Sequence, residues 1–152
     1  RGRGGAPAIV SGGQQEHVEH AMARITTDNP HAHLHGAAAD LSTTTGVESV
    51  SKQFPDVDVL VNSLGGYESK PFFDISEADW QSMWNMNVMS GARLSRHYMR
   101  GMLARNWGRV IFITSEAPMH PLGSSLHSGV TNTACLGFAS GLALLTLAPA
   151  VA

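Results

Sequence analysis

Four short apolar runs alternate with four stretches of helical periodicity along the 152 residues, and this alternation constrains the fold more than any other feature. Residues 57–61 form the clearest strand, a nearly continuous apolar run of the kind expected where both faces of a sheet are covered. Residues 8–10, 33–38 and 110–113 read as the other three, bounded by glycine, proline or polar turn residues. Between the first two, Val18, Ala21, Met22 and Ile25 recur at helical spacing until Asn29-Pro30 stops them. Ser42 is the expected N-cap of the next helix, which carries Val47, Val50 and Phe54 and ends at Pro55. Ser76-Glu77-Ala78-Asp79 opens a long helix over 77–105 with a capping box. Its expected buried stripe is Trp80, Trp84, Val88 or Asn87, Gly91, Leu94, Tyr98 and Met102, and Asn106-Trp107-Gly108 closes it. A last helix runs over 127–147. Strands alternating with helices in this way give an α/β chain with a parallel sheet and right-handed crossovers, here one domain over residues 1–152.

Composition narrows the classes. With a net charge of −2 the chain lacks the basic face of a nucleic-acid binder. Its lone cysteine, Cys135, has apolar neighbours and reads as a buried structural thiol in a reducing, cytoplasmic compartment. The opening RGRGGAP reads as the continuation of a longer chain. No Asp, Glu, Lys or Arg follows Glu116, so residues 133–152 reach membrane-spanning length. Four Ser, Thr or Pro residues, two glycines and no basic anchor favour a buried interface helix instead, with no membrane expected.

In doubly wound sheets, ligands bind beyond the carboxyl ends of the strands. Polar and glycine residues collect there: Asp40-Leu41 after the second strand, Asn62-Ser63-Leu64-Gly65 after the third, Thr114-Ser115 after the fourth. Asn87 sits in mid-helix, where its propensity is poor. Ser128 lies thirteen residues beyond Ser115, and Asn132 four beyond that. Singly, each feature reads as a cap or a turn. As an ordered set they resemble the short-chain dehydrogenase/reductase family, whose Ser, Tyr and Lys stand at these last three spacings.

The resemblance implies a Rossmann-like, doubly wound parallel sheet that lacks the family's first strand and glycine-rich turn, in a chain short of the family's domain at both ends. Gly2, Gly4 and Gly5 precede the first strand without the third glycine at its offset. The absent strand would leave a gap of roughly 9–10 Å, two strand spacings, so the fragment is expected to re-pair its strands or to be marginally stable. By position, the family implies that Asp40 bonds the adenine of NAD(P) beside Leu41, and that Asn62 and Gly65 shape the adenosine side. It implies that Asn87 holds a water in the proton relay and that Ser115 binds the substrate oxygen of a small carbonyl or alcohol. Gly13, where NADP-preferring members often carry a basic residue, tilts the cofactor toward NAD.

The family's Tyr falls on Ser128 and its Lys on Asn132. A tyrosine serves as acid–base because its pKa of about 10 can be drawn toward neutrality by a nearby cation. A serine hydroxyl is far more basic when ionised, and Asn132 brings no charge. Losing a positioned acid–base group costs about 10²–10⁴ in rate, so a relative with impaired turnover is expected. The second hypothesis is a non-catalytic binding or assembly protein, a homo-oligomer through helices 77–105 and 127–147. His31, His33 and His35 would share one face of a strand, a weak metal pattern outweighed by a solvated edge, and no metal is expected. Trp80, Trp84 and Trp107 read as packing groups, and Arg93, Arg96, Arg100 and Arg105 as a solvated helix face. No Walker A or Gly-x-Ser-x-Gly motif supports an NTPase or a hydrolase.

Overall fold

The structure, a computed structural model, describes residues 5–116 and 123–147. Gly2 and Gly4 therefore lie outside the described residues, as does the end of the apolar stretch beyond residue 147. Two compact units divide the chain, Arg1–Gln53 and Phe54–Ala152.

The first unit is β1 (Ala8–Gly12), α1 (Gln15–Asp28), β2 (Leu34–Ala38) and α2 (Thr44–Gln53). The strands pair in parallel, Ala8 with Leu34 through Gly12 with Ala38. Val18 is the buried anchor of α1. Gly36 lets that helix approach the strands: a Cβ there would stand 3.1 Å from both Val18 Cγ1 and Met22 Sδ. Two expectations shift. Thr43, not Ser42, caps α2, its Oγ1 accepting from Gly46 N at 3.0 Å, while Ser42 turns back to Asp40. Because β2 starts at Leu34, His31 and His33 belong to its approach rather than to a strand face shared with His35. Among the described residues no cluster of three metal-ligating side chains forms.

The second unit holds β3 (Val59–Asn62), a 3₁₀ turn (Phe72–Asp74), α3 (Glu77–Trp84), a π-turn (Asn85–Met89), α4 (Ser90–Ala104), β4 (Arg109–Phe112) and α5 (Leu126–Leu147). β3 and β4 pair in parallel, Val59 with Arg109 through Asn62 with Phe112. Leu60, Asn62 and Phe112 turn inward, and the Phe112 ring meets Phe138 of α5 edge-on at 5.7 Å. A Cβ on Gly91 would lie 2.6 Å from that ring, so only glycine lets α4 pack there. The opposite residues, Val59, Val61 and Ile111, stay 44–52% exposed, so the apolar run of the third strand has one covered face rather than two. The four described strands form two separate two-stranded sheets, so of the two expected outcomes, re-pairing or marginal stability, the first is not seen among the described strands.

The long helix is real but interrupted. Its capping box forms as read, Ser76 Oγ accepting from Asp79 N and Asp79 accepting from Ser76 N. At Asn85–Met89 the helix widens into a π-turn, which inserts a residue and rotates everything before it relative to α4. The buried stripe therefore passes through Met83, while Trp84 stays 39% exposed, contrary to expectation. At the other end Asn106 takes a left-handed conformation, φ 54°. Trp107 N donates to Met102 O and Asn106 N to Leu103 O, the paired bonds of a Schellman stop. Arg105 is no idle solvated cation. It bridges Asp56 and Asp58 and ties the end of α4 to the start of β3.

Candidate active site

The second unit brings six of the eight expected site residues together; Asp40 and Leu41 belong to the first. Asn62 ends β3, buried, and neither atom of its carboxamide has a hydrogen-bond partner among the described residues. Gly65, three residues on, would place a Cβ 3.6 Å from Asn87 Oδ1. Ser115 follows β4, whose ladder extends one step as Ile113 N donates to Asn62 O. Ser128, Thr131, Asn132 and Cys135 recur at helical spacing on α5 and so share one face. That face meets the π-turn.

The π-turn is what aims Asn87. Its carboxamide is fully engaged: Oδ1 accepts from Gly66 N at 2.6 Å, and Nδ2 donates to Thr131 Oγ1 at 2.8 Å and to Gly66 O at 3.3 Å. Its main-chain carbonyl accepts from Cys135 Sγ at 3.0 Å. Burial pushes the Cys135 thiol pKa up, because the thiolate would be desolvated. Asn87 thus locks the glycine turn after β3 to α5.

Asn132 joins the two ends of the expected relay. Its Oδ1 accepts from Ser115 N at 3.1 Å, and its Nδ2 donates to Ser128 O at 2.9 Å. Ser128 is 2% exposed; its Oγ accepts from Glu68 N at 3.3 Å and donates to Met83 Sδ at 3.6 Å. Ser128 and Asn132, which the family resemblance sets at the places of an acid and a cation, present a neutral hydroxyl and a neutral amide, both bonded into the scaffold.

Sequence reasoning missed the loop that closes over this face. Lys70 N donates to Ser124 O at 2.6 Å, and the fully buried His127 places Nε2 3.3 Å from Glu68 Oε2, with Trp80 edge-on to its ring. Lys70 Nζ bonds Asp79 Oδ2 at 2.6 Å and lies 3.9 Å from Glu68 Oε1. The Lys70 hydrogen bond, then those from Ser76, hold the Asp79 carboxyl well below its usual range, and Asp79 in turn raises Lys70. The cation on this loop is therefore already spoken for. The signal for these residues was slight: Glu68 and Lys70 are the charges between Gly66 and Pro71, and Thr131 and His127 merely flank the expected positions.

Comparison with known proteins identifies the family and the fold. A family model for the short chain dehydrogenases matches residues 2–148. Two uncharacterized oxidoreductases of Bacillus subtilis (strain 168) are similar in sequence. YvaG is 38% identical over 141 residues, 93% of this chain and 53% of its own length. YvrD is 39% identical over 146 residues, 93% of this chain and 54% of its own length. Among solved structures, L-sorbose reductase from Gluconobacter frateurii, complexed with NADPH and L-sorbose, superposes with a TM-score of 0.84 at 28% identity, over 94% of this chain and 56% of that one. A short chain dehydrogenase/reductase family protein gives 0.78 at 30% identity, over 88% and 55%. The chain spans about half the length of the relatives it matches. From the matched span and the shared Rossmann architecture, the chain belongs to the short-chain dehydrogenase family.

Proposed function

We propose that this chain carries the substrate-side frame of an NAD(P)-dependent oxidoreductase acting on a small carbonyl or alcohol, with normal turnover impaired. The Asn132 bridge carries the reading. Where the family's logic asks for a cation beside an acid, a neutral amide ties Ser115 N to the Ser128 carbonyl. A bound nicotinamide supplies or accepts the hydride, and the protein's share is to hold the substrate oxygen and move one proton. Ser115 offers a hydroxyl at the end of β4 for that oxygen. Ser128 is buried against Glu68 and Met83 and has no charged neighbour on α5 to ease its ionisation. Fit to the cofactor is supported by Asn62, whose buried carboxamide has neither donor nor acceptor satisfied among the described residues and suits a polar ligand beyond β3. Asn62 and Gly65 would hold the adenosine side. Gly13 favours NAD over NADP.

The test is a fluorescence titration with NADH and NADPH, together with turnover of Ser128→Tyr/Asn132→Lys. Binding without turnover in the native chain, and a gain of about 10²-fold or more in the revertant, supports a degenerate enzyme. Absence of binding in both forms overturns it.

A second reading, a homo-oligomer assembled through the α3–α4 helix and α5, draws support from the outer face of α5. Val130, Leu136, Leu144 and Leu145 there are 44–66% exposed. This is also the one described helix long and apolar enough to cross a membrane. Its first half, however, is pinned by buried polar groups (His127, Ser128, Thr131) bonded to the loop and the π-turn, which favours a water-facing protein packed against a second copy. Sedimentation of Leu144→Glu/Leu145→Glu against the native chain separates the two, dissociation on mutation supporting assembly. A lone buried thiol fits the cytoplasm.

A further inference from the structure

A recess lies at the end of β4 opposite Ser115. It has a volume of about 320 Å³ and is walled by Met99 and Met102 of α4, Phe112 of β4 and Leu142 of α5. The Schellman stop at Asn106 swings Trp107 and Arg109 onto its rim. We infer that this recess binds a medium-chain aliphatic monocarboxylate, its chain among the methionines and its carboxylate on Arg109.

Charge selects the head group. The Arg109 guanidinium is held in place, 5.6 Å over the Trp107 ring and donating to Gly108 O at 2.7 Å. The nearby acids do not neutralise it: Asp56 and Asp58 both go to Arg105, and among the described residues no carboxylate pairs with Arg109. A guanidinium has five N–H donors in a planar fork, so those left over suit a carboxylate. The recess is also lined by the last turn of α4, and the partial negative charge of a helix C-terminus disfavours a doubly charged phosphate more than a singly charged carboxylate.

The walls select the tail. The recess volume falls within the roughly 300–1,000 Å³ of ordinary ligand clefts, enough for a chain of about eight carbons. Two methionines give an adaptable lining. Trp107 and Leu103 at the mouth are 51% and 50% exposed, apolar surface that a bound chain would cover.

Octanoate, octanol and inorganic phosphate, titrated against the whole chain by calorimetry with Trp107 emission as a second readout, test the proposal. Octanoate should bind saturably and about tenfold or more tighter than octanol, with phosphate silent. Arg109→Gln, at an exposed position, should make octanoate and octanol equivalent while leaving thermal unfolding unchanged. Ala143→Leu, which fills the recess, should abolish binding of both. Failure of octanoate to saturate, equal binding of octanol to the native chain, or a carboxylate preference that survives Arg109→Gln would each overturn it.

Discussion

Replacing Asn87 with alanine should unfasten the second unit at its centre. Three side-chain hydrogen bonds disappear, to Gly66 N, Gly66 O and Thr131 Oγ1. At about 1 kcal/mol net per bond, these account for about 3 kcal/mol. Thr131 Oγ1 keeps its helix acceptors, the carbonyls of His127 and Ser128, and so tolerates the loss. Gly66 N–H does not: its acceptor is gone, and leaving this half-buried donor unmet costs at most the ~1–3 kcal/mol of a buried one, which overlaps with the bond already counted. A total near 3–4 kcal/mol is a large share of the 5–15 kcal/mol typical of a folded protein. Urea denaturation followed by the emission of Trp80 and Trp84, on the helix that leads into the π-turn, measures it. A double-mutant cycle with Thr131→Val should return a coupling of about 0.5–3 kcal/mol. A cost below about 1 kcal/mol, or a coupling indistinguishable from zero, would refute the claim that Asn87 joins the glycine turn to α5.

Two further outcomes follow from the electrostatics. Asp79 is depressed below its ordinary 3.8 in the fold, chiefly by Lys70. Its contribution to stability is therefore present above that value and is lost as pH falls below it. Lys70 is raised above its ordinary 10.5, so its contribution is present below that value and is lost as pH climbs through the folded one. The urea midpoint of the native chain should drop more steeply between pH 5 and pH 3 than that of Asp79→Asn, whereas parallel slopes would show that the pair does not stabilise the fold. Cys135, buried and with its thiol pushed up, should react with an aromatic disulfide reagent at a rate set by opening of the fold. The expected rate is slower than in the urea-unfolded chain by on the order of 100-fold or more; comparable rates would refute the buried placement.

Much of the frame was legible because it rests on local chemistry. The capping box at Ser76 and Asp79 is a matter of four consecutive residues, and it forms as read. The stop after Ala104 likewise follows from Asn106, a residue that tolerates left-handed backbone. The run 57–61 announced a strand but not how many of its faces would be covered, since cover comes from elements distant in sequence. Trp84 was misplaced for a related reason. Spacing arguments assume 3.6 residues per turn throughout, and one π-turn breaks the phase.

The candidate site divides along the same line. Residue order alone determined the family resemblance, the α/β alternation, and the spacing that puts Ser128 and Asn132 where the resemblance expects an acid and a cation. Those are properties of identity and spacing. Only the tertiary structure decided what these side chains bond to: Asn132 bridging Ser115 and Ser128, Asn87 spent on Gly66 and Thr131, and Glu68 and His127 closing the loop over α5. Glu68 and Ser128 stand sixty residues apart in the chain, and a 3.3 Å hydrogen bond between such positions exists only once β4, α4 and α5 have packed. A hydrogen bond is satisfied in three dimensions, so its partners cannot be read from their order in one.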